Sequence, residues 1–160
     1  MSWNSEKFQL IIEKKLIAIQ NRRYKLILVV APPSTGKTKL LQHLCEVNSK
    51  KYNYINLNME LSALLKEVTM KERPYRVQEL LREIVSDKQG FLIVDNTEIL
   101  FDPELKLDPV KSLEELSRPN TVIAVWSGMV KAGVLSYAKP GRREYYQGQI
   151  GDFEIVDLTS

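Results

Sequence analysis

The sequence predicts an α/β fold, a three-layer sandwich with helices on both faces of a five-stranded, mostly parallel sheet. Three observations predict it. Short apolar runs at Leu26–Val30 and 91–94, the first rich in β-branched residues, fit strands buried on both faces, and 121–126 reads as a further strand. Amphipathic stretches with 3.6-residue periodicity alternate with those runs, the arrangement that gives crossovers and a parallel sheet. A loop of turn residues joins the first apolar run directly to a helical stretch. With 160 residues, the chain is expected to form one domain over 1–160, by the usual scaling of about 100–200 residues per domain.

Each element follows from its pattern. Residues 5–22 read as a helix, with Ser5 as N-cap, Glu6 in the first turn and Phe8, Ile11, Ile12, Leu16 and Ile19 on one face. The strand Leu26–Val30 leads through the loop into a helix over 37–47, carried by Leu40, Leu41 and Leu44. Residues 52–57 alternate loosely and read as a second strand, and 61–68 as a helix. Pro74 breaks the chain before a helix over 77–85, which Gly90 follows. A third strand ends at Asp95, and Pro103 and Pro109 bracket an acidic loop before a short helix over 110–116. Residues 121–126 form the fourth strand, 128–137 are expected to be helical, and 153–158 form the fifth strand.

Composition narrows the chemistry. A single cysteine, Cys45, makes neither an intramolecular disulfide nor a cysteine-based zinc site, and it suits a reducing compartment. A single histidine, His43, rules out a multi-histidine metal centre, and it reads as a surface residue while Cys45 reads as a small buried hydrophobe. No apolar run approaches the length of a membrane span and the N-terminus lacks a signal-peptide segment, so a cytoplasmic protein without membrane association is expected. The net charge of +3 hides an asymmetry: residues 1–60 carry ten Lys and Arg against four acids, and the remainder carries 13 against 16. A basic half is compatible with an anionic ligand and equally with a solvated face.

The decisive segment is Ala31-Pro-Pro-Ser-Thr-Gly-Lys-Thr38. It resembles the Walker A phosphate loop, with alanine where the strict pattern has its first glycine, between a buried strand and a helix. Backbone amides around Ser34, Thr35, Gly36, Lys37 and Thr38 can converge on a phosphate, with Pro33 and Lys39 completing the expected nucleotide-binding set. Gly36 allows the backbone close approach. The positive end of the following helix favours an anion. Lys37 can reach the β- and γ-phosphates of ATP, and the Thr38 hydroxyl can ligate Mg²⁺. These features predict nucleotide binding by a P-loop; a plain strand-to-helix turn with a solvated lysine is the alternative.

Phe91-Leu-Ile-Val-Asp95 looks like a Walker B strand, with Asp95 as the second Mg²⁺-holding residue. A turn-capping aspartate is the alternative. Asn96 stands where many ATPases carry a water-polarising glutamate; it can orient water but cannot accept its proton. Glu98, two residues on, is a candidate substitute or a solvated acid. Ser127, at the end of the fourth strand, is a candidate γ-phosphate contact or a plain turn residue. Arg142 and Arg143 are candidate arginine fingers for a neighbouring subunit, candidate DNA-phosphate contacts, or a solvated loop. Arg118 is a further finger candidate. Tyr52, Tyr54, Asn56 and Asn58 either flank the nucleotide or decorate a strand edge.

With both Walker elements in place, the chain resembles a minimal ATPase of the group that includes AAA+ proteins. More narrowly, it resembles the BrxF family, small P-loop proteins of type 3 BREX bacteriophage-exclusion systems. The stretches that carry the likeness are Leu28-Val-Val-Ala-Pro-Pro-Ser-Thr-Gly-Lys-Thr38, Tyr75-Arg-Val-Gln-Glu-Leu-Leu81, Phe91-Leu-Ile-Val-Asp-Asn-Thr-Glu-Ile-Leu100 and Thr121-Val-Ile-Ala-Val-Trp-Ser-Gly128. The resemblance implies an antiphage role beside other BREX subunits, among them a larger ATPase and a DNA methyltransferase. The expected activity is an ATP-binding, ATP-hydrolysing regulatory subunit without a lid domain, with slow or conditional turnover. Its nucleotide state would control assembly, as a homo-oligomer or with protein partners or DNA. A non-hydrolysing nucleotide-binding module and a small-molecule kinase are the alternatives.

Overall fold

The computed structural model describes residues 3–33 and 36–159. Five strands, β1 (Leu26–Val30), β2 (Tyr52–Asn56), β3 (Phe91–Asp95), β4 (Val122–Trp126) and β8 (Glu154–Asp157), form one sheet in the order β2-β3-β4-β1-β8. Every pairing in it is parallel, so the sheet is wholly rather than mostly parallel. β4 lies between β1 and β3, in register Leu26↔Val122 on one side and Leu92↔Val122 on the other.

Alternation along the strands sorts the side chains onto two faces. Ile27, Val29, Ile93, Ile123 and Val125 pack with α1 (Ser5–Ile19) and α2 (Lys37–Val47). Leu26, Leu28, Val30, Leu92, Val94, Val122 and Trp126 pack on the other side with α3 (Leu57–Leu65), α4 (Arg73–Ser86) and α5 (Pro109–Leu116). Two cores separated by one sheet are the predicted three-layer sandwich.

The ends of the helices differ from expectation for local reasons. Asn4, not Ser5, caps α1: its side chain accepts from the Lys7 amide at 2.8 Å, and the helix stops at Ile19. α3 begins four residues early because Asn56 caps it, accepting from the Met59 amide. The chain breaks before Pro74, between α3 and α4, but α4 starts at Arg73 and takes Pro74 into its first turn, where the missing N–H costs no intrahelical bond. Between β3 and α5 the chain winds into two short 3-10 turns, Thr97–Phe101 before the acidic loop and Pro103–Leu105 at its start.

The larger correction concerns residues 128–137, which form no helix. They make the strands β5 (Met129–Lys131) and β6 (Val134–Tyr137), which with β7 (Tyr146–Gln149) build a second, antiparallel sheet. Lys131 pairs with Val134 across Ala132 and Gly133, both at positive φ, the two-residue turn that matches strand twist. The connection from β4 to β8 is therefore carried by a small sheet instead of a helix. Phe101 anchors it, stacking on Tyr137 at 3.7 Å between centroids and meeting Trp126 edge-on at 5.1 Å. The Trp126 indole N–H donates to the Ser136 carbonyl at 2.9 Å. Among the described residues no helix is long and apolar enough to cross a membrane.

Candidate nucleotide site

The site forms at the carboxyl edge of the parallel sheet, where β1, β3 and β4 all end. At the β1 end, Ala31 donates to the Trp126 carbonyl at 3.1 Å, which ties the entrance of the phosphate loop to β4. The expected contacts of Ser34 and Thr35 lie outside the described residues. Gly36 precedes α2 at φ 79°, a left-handed conformation that glycine adopts without strain, and among the described residues beyond its chain neighbours no atom lies within 4 Å of where a Cβ would stand. Backbone conformation at this positive φ calls for the glycine.

Lys37 is buried, and its ammonium donates to the Pro32 carbonyl at 3.1 Å, across the mouth of the loop. Burial lowers its pKa from 10.5, with the charges of Glu98 and then Asp95 opposing the shift. One cation and two carboxylates therefore share this small volume. Thr38, the next residue of α2, donates from its hydroxyl to Asp95 Oδ2 at 3.0 Å. Asp95 is itself buried at the end of β3, and its Oδ1 accepts from the Asn96 amide at 2.8 Å. Thr38 of the first motif and Asp95 of the second are thus brought into direct contact.

Two hard oxygen donors meeting beside a buried lysine suit Mg²⁺ and the phosphates it accompanies. Thr38 and Asp95 are the residues that would hold the ion, with Lys37 toward the phosphate oxygens.

Asn96 has a conformation that accounts for its residue type. At φ 56° and ψ 53° it lies in the left-handed region, which asparagine tolerates better than most residues. The resulting reversal starts the 3-10 turn, and the Thr97 hydroxyl fastens that turn to the Val125 carbonyl of β4. Glu98 is thereby brought to the end of β4, where the buried Ser127 donates to its Oε1 at 2.7 Å. Glu98 and Ser127 form one unit, close enough to Lys37 for the carboxylate to act on its ionisation.

The structure does not bring every candidate to this point. Arg142 and Arg143 are exposed on the loop between β6 and β7, and Arg143 pairs with Glu104 at 3.0 Å on the surface. Lys39 is exposed on α2, and Arg118 is exposed beyond the opposite, amino edge of the sheet. Pro33 is exposed and lines, with Pro32, Ser127, Tyr137 and Lys139, a cleft of about 340 Å³ between the phosphate loop and the antiparallel sheet. Tyr54, for which the sequence alone allows either place, reaches this point: its hydroxyl donates to Asp95 Oδ2 at 2.6 Å. Burial, and then this bond, raise the pKa of the phenol well above its ordinary 10.0. Tyr52 is buried in the core of α1 and α2 instead.

No protein-family model matches the chain, and no curated protein sequence does. Among solved structures, it is similar to PCH-2 from C. elegans at 21% identity and TM-score 0.40, over 96% of this chain and 39% of that one. It is also similar to a katanin solved for the basis of its self-assembly, at 18% identity and TM-score 0.35, over 73% of this chain and 37% of the other. The chain thus spans about two fifths of the length of the solved chains it resembles.

Proposed function

We propose that this chain is a minimal AAA+-like P-loop ATPase, an ATP-binding and ATP-hydrolysing regulatory subunit. The observation that carries the reading is the meeting of Lys37, Thr38 and Asp95 at the carboxyl edge of β1 and β3. Mg²⁺ bound there would neutralise phosphate charge. The ammonium of Lys37, satisfied by the Pro32 carbonyl, exchanges that neutral acceptor for an anionic phosphate oxygen, a stronger partner. Glu98, with Ser127 fixing one carboxylate oxygen, is the residue that takes the proton from the attacking water. In hydrolysis that water oxygen bonds to the γ-phosphorus while the bond to the β,γ-bridging oxygen breaks, leaving ADP and phosphate. Asn96 takes no proton in this scheme and sets the turn that presents Glu98.

Calorimetry on Lys37→Ala tests the binding claim: MgATP binding should disappear, and unchanged binding would remove the phosphate-loop assignment. Phosphate release tests turnover. Glu98→Gln should keep ATP binding and lose release, whereas full release in that variant rejects Glu98 as the base. A non-hydrolysing nucleotide-binding module is the second reading, supported by an Asn96 that cannot act as a base. Absence of phosphate release with and without DNA would favour it.

The likeness to BrxF proteins supports a place in a BREX antiphage system, with other BREX subunits as partners. Nucleotide-controlled assembly, as a homo-oligomer or on DNA, belongs to the same proposal. The exposed loop carrying Lys139, Arg142, Arg143 and Tyr145 is the surface to test for DNA. Replacing both arginines should weaken DNA binding and flatten its salt dependence. Native mass with and without ATP reports the oligomer.

A further inference from the structure

Asp95 Oδ2 accepts two hydroxyls with different origins. Thr38 reaches it from α2 at 3.0 Å, and Tyr54 reaches it from β2 at 2.6 Å. β2 is the edge strand beside β3, in register Tyr54↔Ile93 and Asn56↔Asp95. The phenol therefore crosses to its neighbour's last residue while its ring packs against the core of α1 and α2. With the Asn96 amide on Oδ1, the carboxylate is held from three directions.

We propose that Tyr54 is a positioning residue for the metal-holding carboxylate, an inference that rests on the Mg²⁺ reading of Thr38 and Asp95. The two hydroxyls have different fates under that reading. A threonine oxygen that turns a lone pair to a cation need no longer donate to Asp95. Tyr54 has no such second task, so its bond keeps the carboxylate aimed when Thr38 lets go. Partners of this outer kind fix the direction of a ligand's lone pairs, and their loss typically weakens metal affinity by about 10–100-fold.

Tyr54→Phe tests the assignment because it deletes the hydroxyl and keeps the packed ring. ATP binding is measured by calorimetry with EDTA and across a Mg²⁺ titration, beside thermal unfolding of each protein. The variant should bind ATP in EDTA as the wild type does, and need about 10-fold more Mg²⁺ for the half-maximal gain in affinity. An unchanged Mg²⁺ midpoint against a Mg²⁺-dependent wild type overturns the role of Tyr54 alone. An equal loss of affinity with and without Mg²⁺ also overturns it, and makes Tyr54 a packing residue. A wild type whose ATP affinity ignores Mg²⁺ removes the underlying reading of Thr38 and Asp95 as well.

Discussion

Gly128→Ala is the most demanding test of how the two sheets are joined. Gly128 is buried between β4 and β5, and an added Cβ would lie 2.1 Å from the Ser136 carbonyl oxygen and 2.9 Å from Trp126 Nε1. Those two atoms are the partners of a single 2.9 Å hydrogen bond. The methyl group must therefore displace backbone and separate donor from acceptor together. Overpacking of this kind costs about 1–3 kcal/mol, and a buried indole N–H without a partner costs about 1–3 kcal/mol more. At about 2–4 °C per kcal/mol for a chain of this size, the melting midpoint should fall on the order of 10 °C. Gly133→Ala is the control, since it lies at φ 78° with no atom within 4 Å of a new Cβ. It should cost about 1–2 kcal/mol from backbone conformation alone. Thermal unfolding by near-ultraviolet circular dichroism reads both. A Gly128→Ala protein that melts no lower than Gly133→Ala would refute the packing argument.

Asn96→Gly should hold stability within about 1 kcal/mol and Asn96→Val should lose more than that, because β-branching resists positive φ; urea midpoints decide it, and a tolerated valine contradicts the conformational account. Nucleotide affinity should decline as pH rises through the lowered Lys37 pKa, beginning below 10.5, because only the ammonium attracts phosphate. Lys37→Arg should move that alkaline limb upward in a pH series of binding titrations. Glu154 is bridged to Lys15 at 3.0 Å and Arg22 at 2.7 Å, which fastens α1 to β8. The Lys15 bond, outweighing the effect of burial, lowers its pKa from 4.5, so its contribution is present above that value and lost as pH falls through the lowered one. Glu154→Gln should cost about 1 kcal/mol at pH 7 and blunt the acid limb of stability against pH.

What could be read from the sequence was what burial writes into it. β1, β3 and β4 are buried on both faces, so their apolar runs could be read without knowing their neighbours. Lys37, Thr38 and Asp95 stand out in the sequence because the Walker patterns restrict residue type at fixed spacing, and the structure brings the three together. The antiparallel sheet was not legible: Val130, Val134, Leu135 and Tyr137 fall at spacings that a helix also allows. The signal missed there was Ala132-Gly133, whose turn reverses the chain. Tyr54 was ambiguous for another reason. Its role depends on which strand lies beside β2, and only the sheet order puts Asp95 within reach.

The strand order also sets a sequence in time. β1 is completed at residue 30, yet its neighbours are β4 and β8, which end at residues 126 and 157. As a chain grows from its amino end, the first ladder of this sheet it can close is β2 on β3, which does not include β1. Closing β1 into the sheet then means shutting a loop of nearly a hundred residues, the kind of distant pairing that slows folding. The loop that would hold phosphate is thus translated early and framed late. Until β4 emerges, β1 and β3 have no strand between them, and Thr38 and Asp95 have no common sheet to bring them together.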